Sequence, residues 1–549
     1  MTTENTSNET ADDSVLHDVN KDISDAYDKQ IYTSNSFYYT SPGHLRAAAH
    51  LWGLESVPLE NARVLELGCA GGGNLLPFAV SYPNAHVVGV DLSSVQVNQG
   101  REVIEALGLK NLHLHAMSLT DITPDFGQFD YIIAHGVFSW VPPEVREAML
   151  RIVRDNLSPL GISYISYNTY PGWKAGDIVR DAMLLHSHSA QTKDEKLGSA
   201  KAVLNLLSDG LYSGNALAPS LRGAVSQLSK HSDYYIAHEY LEIFNNPCYL
   251  LEFVNLADQF NLTHAGDVEP FLEISATYGQ NVQLNHSLIA IGQPREVRQQ
   301  YLDFAVGRNF RKSLLVHKER AAQVSTSPDL ERLTDLRWAG HFIPVESDTN
   351  APKDNRLHFK NNRNQPLYSS DAVVVAIVKI LTEKWPQSLS FTELVDGMAT
   401  VINQNKESLH KSVLTALQTL FRLNTVRYAL EPSPYDTKQK PETSIPTTIP
   451  GFRYMLERRK DKTFGIGLYN LWHDSVNPVL KEAEIYIALK MTGDFNRKQL
   501  TTQLRDAMSH GLVLANDGAS LKGQRNLDAK ANKMLGDVLH LFKRQGLTY

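Results

Sequence analysis

The chain has 549 residues, of which 42% are hydrophobic and 21% charged, and its formal net charge is -7 at pH 7. This length exceeds what one hydrophobic core supports and predicts three or four domains. The sequence has no apolar run long enough for a membrane span, which excludes membrane insertion. Its two cysteines are too few for a disulfide framework. Its net negative charge excludes nucleic acid binding through the charge of the whole molecule. We therefore expect a soluble, cytoplasmic protein.

The N-terminal region divides into a polar tail and an aromatic segment. Residues 1–20 are acidic and polar and lack the basic, apolar start of a secretory signal, which predicts a disordered tail. The stretch AYDKQIYTSNSFYYTSPGHL then concentrates aromatic residues, among them Tyr32. This density predicts a lid over a ligand site in the same domain.

Residues 21–190 form the first predicted domain, of the α/β class. Short β-branched runs alternate there with amphipathic stretches, which is typical of a parallel sheet covered by helices on both faces. The candidate strands are ARVLEL, AHVVGVD, LHLHAM, FDYIIAH and GISYISYN. Ser93 or Ser94 is expected to cap the helix after the second strand, and Gly108 to follow its last turn.

The turn after the first strand, in VLELGCAGGGNLLPFAV, carries the strongest functional signal. Small residues allow a ligand to approach the backbone closely, and Glu66 at the strand end is placed to accept an ammonium group. Asp91 ends the second strand, where a carboxylate can bind both hydroxyls of a ribose. The predicted cofactor-binding residues here are Glu66, Gly68, Ala70, Gly72, Asp91 and Leu92.

This spacing alone does not separate two cofactor classes. Gly68, Ala70 and Gly73, followed by Asp91, also fit a relaxed dinucleotide fingerprint, so a nicotinamide enzyme is the direct rival of a methyltransferase. Glu66 favours methyl transfer because its charge would repel a pyrophosphate. The ends of the later strands add further residues that a methyltransferase needs.

The third, fourth and fifth strands each end in candidate site residues. Met117 and Ser118 are placed to hold an adenine, and His135 follows the fourth strand at the mouth of the cleft. An aromatic rim suits a cationic or amine substrate, and the predicted catalytic or substrate-side residues are Tyr32, Trp140, Tyr167 and Trp173. Methyl transfer from a sulfonium requires chiefly alignment and exclusion of water, so no metal is expected.

The remaining two thirds of the chain read as three smaller units. Residues 191–330 are predicted to be a mainly helical middle domain. Polar, proline-containing linkers then separate two lobes, residues 331–440 and 441–549, whose short helices fit winged-helix-like modules. Basic clusters at 308–312 and 457–462 are interpreted as solvated helix faces, in preference to contacts with nucleic acid.

Several motifs resemble those of known methyltransferases. ELGCAGGGNLLP, GVDLS, HGVFSWVP and SYNTYPGW resemble a class I, Rossmann-like methyltransferase domain. YYIAHEYLEIFNNPCYLLEFVNLADQFNLTHAGD and QQYLDFAVGRNFRKSLLVH are similar to the methyltransferase regulatory domain. The arrangement as a whole resembles the rickettsial protein-lysine methyltransferases that modify outer membrane protein.

This resemblance implies S-adenosylmethionine as cofactor, S-adenosylhomocysteine as product, and lysine side chains of an outer membrane or surface protein as acceptors. It implies cofactor roles for Glu66, Gly68, Asp91, Ser118 and His135, and substrate-side roles for Tyr32, Trp140, Tyr167 and Trp173. The residues themselves leave two alternatives open, a small-molecule methyltransferase and a nucleic-acid-binding protein that senses S-adenosylmethionine. They also leave oligomerisation open.

Overall fold

The computed structural model describes residues 33–242, 244–345, 356–402, 405–437, 446–461, 463–514 and 519–549. The predicted tail of residues 1–20 and the candidate lid residue Tyr32 lie outside these ranges. Within them, the chain forms one seven-stranded sheet, two three-stranded sheets and a two-stranded hairpin, together with the helices that pack on them.

The first five strands form the parallel part of the large sheet. They lie in the order β3-β2-β1-β4-β5, with bounds β1 Arg63–Leu67, β2 His86–Asp91, β3 Leu112–Ala116, β4 Phe129–Ala134 and β5 Leu157–Asn168. The helices of this part are α1 Pro42–Leu51, α2 Leu76–Ser81, α3 Ser94–Ala106 and α4 Pro143–Asn156. Ser93 caps α3 by accepting a hydrogen bond from the backbone N–H of Gln96, and Gly108 follows with φ 65°, so both predictions are confirmed.

Two strands from beyond residue 190 complete this sheet. β6 (Leu262–Asp267) and β7 (Phe310–His317) extend the order to β3-β2-β1-β4-β5-β7-β6, and β7 runs antiparallel to both of its neighbours. The Rossmann-like sheet is confirmed. The region 191–330, expected to be mainly helical, also contributes these two strands. The hydrophobic pattern did not predict β7, because charged residues interrupt it in RNFRKSLLVH.

Those charges are buried, which also corrects the interpretation of residues 308–312 as a solvated helix face. Arg311 is fully buried in β7, and its guanidinium donates to both carboxylate oxygens of Asp303, over N–O distances of 2.8 Å. Lys312, also buried, pairs with Glu269. A buried, paired cation is unavailable to a nucleic acid backbone.

A helical insertion separates β5 from β6. It comprises α5 Lys174–Ser187, α6 Lys193–Ala202, α7 Leu204–Ser208, α8 Ala218–Leu228, α9 Asp233–Tyr240 and α10 Leu250–Gln259. Trp173, which precedes α5, shares a hydrophobic cluster with Met183, Leu221 and Ile236 from α5, α8 and α9. Two further helices, α11 Gln280–Ile289 and α12 Arg295–Val306, lie between β6 and β7.

The two faces of the large sheet bury different partners. Val64 of β1 belongs to a hydrophobic cluster that includes Phe452 and Phe542 from the end of the chain, whereas its neighbour Leu65 belongs to a cluster with Met149 of α4. Neighbouring strand residues point to opposite faces, which explains the division. The end of the chain therefore shares its core with the large sheet.

The region 331–440 combines two three-stranded sheets with three longer helices. Its strands are β8 Arg337–Ala339, β9 Phe342–Pro344, β10 Leu357–Asn361, β11 Pro366–Ser369, β12 Leu389–Ser390 and β13 Arg427–Ala429, and its helices are α13 Ala372–Lys384, α14 Phe391–Ala399, α15 Lys406–Arg422 and the short α16 Pro434–Thr437. β8 is the central strand of the sheet β12-β8-β13 although it precedes all of these helices.

We call residues 446–549 the C-terminal lobe. It contains α17 Phe452–Arg458, the hairpin of β14 Leu468–Tyr469 and β15 Ser475–Val476, and the helices α18 Glu482–Lys490, α19 Arg497–Ser509 and α20 Leu527–Gln545. The winged-helix description of this lobe and of the preceding region stays a prediction.

Candidate cofactor and active site

The turn after β1 has a backbone that requires small residues. Gly68 and Gly72 both have φ 73°, and Ala70 has φ 49°, all in the left-handed region that side chains disfavour. A Cβ atom on Gly68 would lie 2.4 Å from Cγ2 of Val137, which follows β4. The turn therefore passes close to the next loop of the sheet, and a larger residue at position 68 would push the two apart.

Glu66 lies beneath this turn with one unsatisfied oxygen. Its side chain is 4% exposed, and Nδ2 of Asn74 donates a hydrogen bond of 2.7 Å to its Oε1. Its Oε2 is buried and has no hydrogen-bond partner among the described residues. Burial raises the pKa of Glu66 to about 8; the hydrogen bond from Asn74 opposes this rise and the Asp91 carboxylate adds to it. A cationic ligand group would satisfy this oxygen.

Asp91 at the end of β2 is held by the backbone on both sides. Its Oδ2 accepts a hydrogen bond of 2.7 Å from the N–H of Ala70, and its Oδ1 accepts one of 2.9 Å from the N–H of Ser93. The carboxylate thus joins the turn after β1 to the start of α3. This arrangement fixes its direction towards the space in front of the sheet.

His135 after β4 is held in its neutral form. Its Nδ1 lies 3.0 Å from both the hydroxyl of Tyr164 and Oγ of Ser166, and the ring of Phe37 lies 4.4 Å away between centroids. Burial lowers the pKa of His135 to about 3, with a further contribution from the charge of Lys312. A neutral imidazole can accept or donate a hydrogen bond to a ligand without adding a charge to the site.

A cavity of about 480 Å³ opens in front of these residues at the carboxyl ends of the parallel strands. This volume falls in the range of natural small-molecule sites, and the position is where open α/β sheets bind their ligands. The cavity is lined by the predicted residues Glu66, Gly68, Ala70, Asp91, Leu92, Met117, Ser118, His135, Trp140 and Trp173. Gly72 lies behind the turn, where an added Cβ would be 3.1 Å from Leu114.

The structure does not bring Tyr167 to this cavity. Tyr167 is 1% exposed, its ring stacks on Phe253 at 4.2 Å, and its hydroxyl lies 3.2 Å from Oγ of Ser313. Side chains alternate along a strand, so Tyr167 points to the face opposite that of its neighbours Ser166 and Asn168. The rim role predicted for Tyr167 is therefore wrong, and its position is that of a core residue.

Several cavity residues lie outside the motifs that predict the site. The wall includes Asn74 after the glycine turn, Phe310 from β7, and Tyr235 and Glu239 from α9. The spacing of four between Tyr235 and Glu239 places both on one helix face, which was the available signal. Both residues are distant in sequence from the motifs that predict the site. They reach the cavity only because the helical insertion folds back over the sheet and brings α9 to it.

The mouth of the cavity combines aromatic rings with one carboxylate. We call the part of the cavity wall formed by Trp140, Trp173, Tyr235 and Glu239 its mouth. Among the described residues, Glu239 has no ion pair, and burial alone raises its pKa to about 7. The mouth therefore presents an uncompensated carboxylate among rings, a setting that attracts a cation.

The described residues contain neither a candidate metal site nor a candidate membrane span. These contain no group of three or more His, Cys, Asp and Glu side chains that could hold a metal ion. Across the same ranges, no helix has the length and apolar character needed to cross a membrane.

A sheet of this order, with an acidic residue at the ends of β1 and β2 around one cavity, fits a class I methyltransferase that uses S-adenosylmethionine. Comparison with known proteins agrees. A family model described as a methyltransferase domain matches residues 64–161, and one described as a predicted methyltransferase regulatory domain matches residues 232–317. The second range begins just before α9 and ends with β7, so it includes both cavity-lining and sheet-forming parts.

Relatives extend this match over most of the chain. The uncharacterized protein RP789 of Rickettsia prowazekii is 31% identical over 525 residues, which cover 94% of this chain and 92% of that protein. The structure of PKMT2 from Rickettsia typhi in complex with AdoHcy superposes with a TM-score of 0.78 and 26% identity, over 94% of this chain and 99% of the other. The chain therefore belongs to this family of S-adenosylmethionine-dependent methyltransferases with a methyltransferase regulatory domain.

Proposed function

We propose that this enzyme methylates lysine side chains of a protein substrate. The observation that carries the proposal is the mouth of the cavity, which Glu239 lines together with Trp140, Trp173 and Tyr235. Glu239 has no counter-ion among the residues that the structure describes. An alkylammonium group gains from both a carboxylate and aromatic faces. The similarity to PKMT2 over 94% of the chain supports a protein as the carrier of that amine. The resemblance to the rickettsial enzymes points to an outer membrane protein.

The cofactor is assigned to the inner part of the cavity. Oε2 of Glu66 would accept a hydrogen bond from the ammonium of the methionine moiety, since it is buried without a partner among the described residues. Asp91 would bind the ribose hydroxyls, and Leu92, Met117 and Ser118 would enclose the adenine. The turn around Gly68 gives the ligand close access to the backbone.

The substrate amine must arrive as an ammonium ion and react as a free amine. Bound S-adenosylmethionine supplies an electrophilic methyl group, and the residues at the mouth prepare its acceptor. The carboxylate of Glu239 would pair with the arriving ammonium, and with a pKa near 7 it accepts a proton more readily than an ordinary glutamate does. The rings of Trp140 and Trp173 would exclude water, which lowers the pKa of the amine.

The proposal is tested by following tritiated methyl groups from S-adenosylmethionine into bacterial envelope proteins, small metabolites and RNA. The expected result is label in protein that appears as methyllysine after acid hydrolysis. Label confined to the small-molecule fraction would overturn the lysine proposal and leave the methyltransferase class intact.

A paired set of variants tests the role of the mouth. Glu239→Gln removes the charge that meets the amine and should raise the KM for the acceptor about tenfold or more, with unchanged affinity for S-adenosylhomocysteine. Asp233→Asn is the matched control, because Asp233 starts the same helix but pairs with Lys201 at the surface. Equal effects of the two substitutions would contradict a direct role for Glu239.

A further inference from the structure

The C-terminal lobe packs directly on the turn after β1, to which we assign the cofactor. Residues 465–467 run beside Ser34, whose backbone N–H donates to the carbonyl of Gly465 at 2.7 Å and whose carbonyl accepts from the N–H of Gly467 at 2.9 Å. Ile466, between them, covers the glycine turn, since a Cβ on Gly71 would lie 3.0 Å from its Cγ1. The turn is thus enclosed by Ser34 near the start of the described chain and by Ile466 of the C-terminal lobe.

Asn74 contacts the N-terminal segment, the C-terminal lobe and Glu66. Its Oδ1 lies within hydrogen-bond distance of three groups, the backbone N–H of Phe37 at 3.0 Å, the hydroxyl of Thr40 at 2.9 Å and Nε2 of His473 at 3.2 Å. The N–H of Phe37 can only donate, so this atom of Asn74 is the acceptor oxygen. The amide nitrogen is consequently directed at Oε1 of Glu66, 2.7 Å away.

His473 reaches this position from the loop that joins β14 to β15. The residue is 5% exposed and has φ 65°, a conformation that costs free energy for any side chain. The loop is closed by the backbone N–H of Asn470 donating to the carbonyl of Asp474 at 3.0 Å. A strained backbone that the surrounding structure maintains is common at functional positions.

The protonation of His473 suits a donor to Asn74. Burial lowers its pKa to about 4, so the ring is neutral at pH 7 and carries one proton. Because Oδ1 of Asn74 accepts, the tautomer that satisfies this contact has its proton on Nε2. At pH values well above 4 the contact is thus a hydrogen bond between neutral groups.

We propose that His473 is a positioning residue for the cofactor: by holding the amide of Asn74, it keeps Glu66 ready for the ligand's ammonium. The affinity of the catalytic domain for S-adenosylmethionine then depends on the docked C-terminal lobe. The Thr40 hydroxyl has one proton, which the carbonyl of Phe37 at 2.7 Å shares with Asn74. When His473 is absent, Asn74 therefore keeps the backbone N–H of Phe37 as its one undivided donor, and the hydrogen bond to Glu66 becomes weaker. Glu66 then ionises at a higher pH, and fewer molecules bind the ammonium at neutral pH.

The test uses three variants of the full-length chain. His473→Gly removes the ring and suits the left-handed backbone. His473→Gln returns an N–H donor of similar reach. Gln99→Ala is the control, because Gln99 bonds the lobe through the carbonyl of Thr463 and the N–H of Gly465 without touching Asn74. Should His473→Gly not fold, His473→Leu replaces it, since leucine fills the volume of the ring without a donor.

Affinity for S-adenosylhomocysteine is measured by calorimetry from about pH 6 to about pH 8.5, together with steady-state kinetics. His473→Gly should weaken binding by up to about tenfold at neutral pH, the value of one hydrogen bond, and should move the pH midpoint of binding upward. It should raise the KM for S-adenosylmethionine with little change in kcat, and His473→Gln should restore both. The other titratable groups facing Glu66, namely Asp91 and Cys69, are unchanged in every variant.

Two outcomes would overturn the proposal. One is wild-type affinity and pH midpoint in His473→Gly. The other is the same shift of the midpoint in Gln99→Ala, which would mean that loosening the lobe in general, and not the contact with Asn74, alters the cofactor site.

Discussion

The substitution Glu66→Gln separates the two consequences of burying a carboxylate at the cofactor site. Glutamine keeps the shape of the side chain and an oxygen for the hydrogen bond from Asn74, but it has no charge. The pKa of Glu66 rises from 4.5 to about 8 in the folded protein, chiefly through burial. Because the folded pKa is raised, stability from this group is complete below about pH 4.5 and is lost as the pH rises towards 8.

The size of this loss follows from the pKa. A change of one pH unit is worth about 1.4 kcal/mol, so ionisation of Glu66 costs the folded protein on the order of 3 to 5 kcal/mol at pH 8 and above. Glu66→Gln does not incur this cost. We therefore expect the variant without ligand to melt at a higher temperature than the wild type, by a margin that grows from pH 5 and becomes constant above pH 8.

Cofactor binding should change in the opposite direction. Loss of a charge-assisted hydrogen bond costs about 1.5 to 3 kcal/mol, which predicts roughly 10- to 150-fold weaker binding of S-adenosylhomocysteine. Wild-type affinity should rise with pH towards 8, whereas that of the variant should not follow this trend. Calorimetry and thermal melting over the same pH series measure both effects. A variant that binds as tightly as the wild type, with no gain in melting temperature, would refute the assignment of Glu66.

Other substitutions test separate parts of the site. Asp91→Asn should weaken S-adenosylhomocysteine binding about tenfold or more by calorimetry, since an amide cannot accept at both ends as the carboxylate does; unaltered binding would contradict its placement. Gly73→Ala would put a Cβ 2.1 Å from the carbonyl oxygen of Ser34, so it should lower the melting temperature and expose the N-terminal segment to limited proteolysis. Tyr167→Phe removes one hydrogen bond to Ser313 and should cost about 1 kcal/mol of stability by chemical denaturation while kcat is kept; a large loss of kcat would return Tyr167 to the active site.

Much of the cofactor site was predictable because its signals are local. Glu66 and Gly68 lie within three residues of each other, and Asp91 follows one strand-helix unit later, so the geometry of parallel strands alone brings them to one edge. Tyr167 shows the limit of this reasoning. The sequence correctly predicts that Tyr167 lies near the end of a strand. The face of the sheet that its side chain occupies depends on the register of β5 with β4 and β7.

The sequence by itself located a nucleoside-binding site, since a strand, a glycine turn and a second acidic strand end form one compact chemical pattern. The motifs of the later strands, through their resemblance to known methyltransferases, favoured methyl transfer over the nicotinamide alternative. Tertiary structure alone decided which distant segments finish the site. β7 joins the sheet through long-range pairing, α9 brings Glu239 to the cavity, and the C-terminal lobe brings His473 to Asn74 across 399 positions of the chain. Such contacts are set by packing between whole elements. The hydrophobic periodicity of one element predicts its own secondary structure and not the element on which it packs.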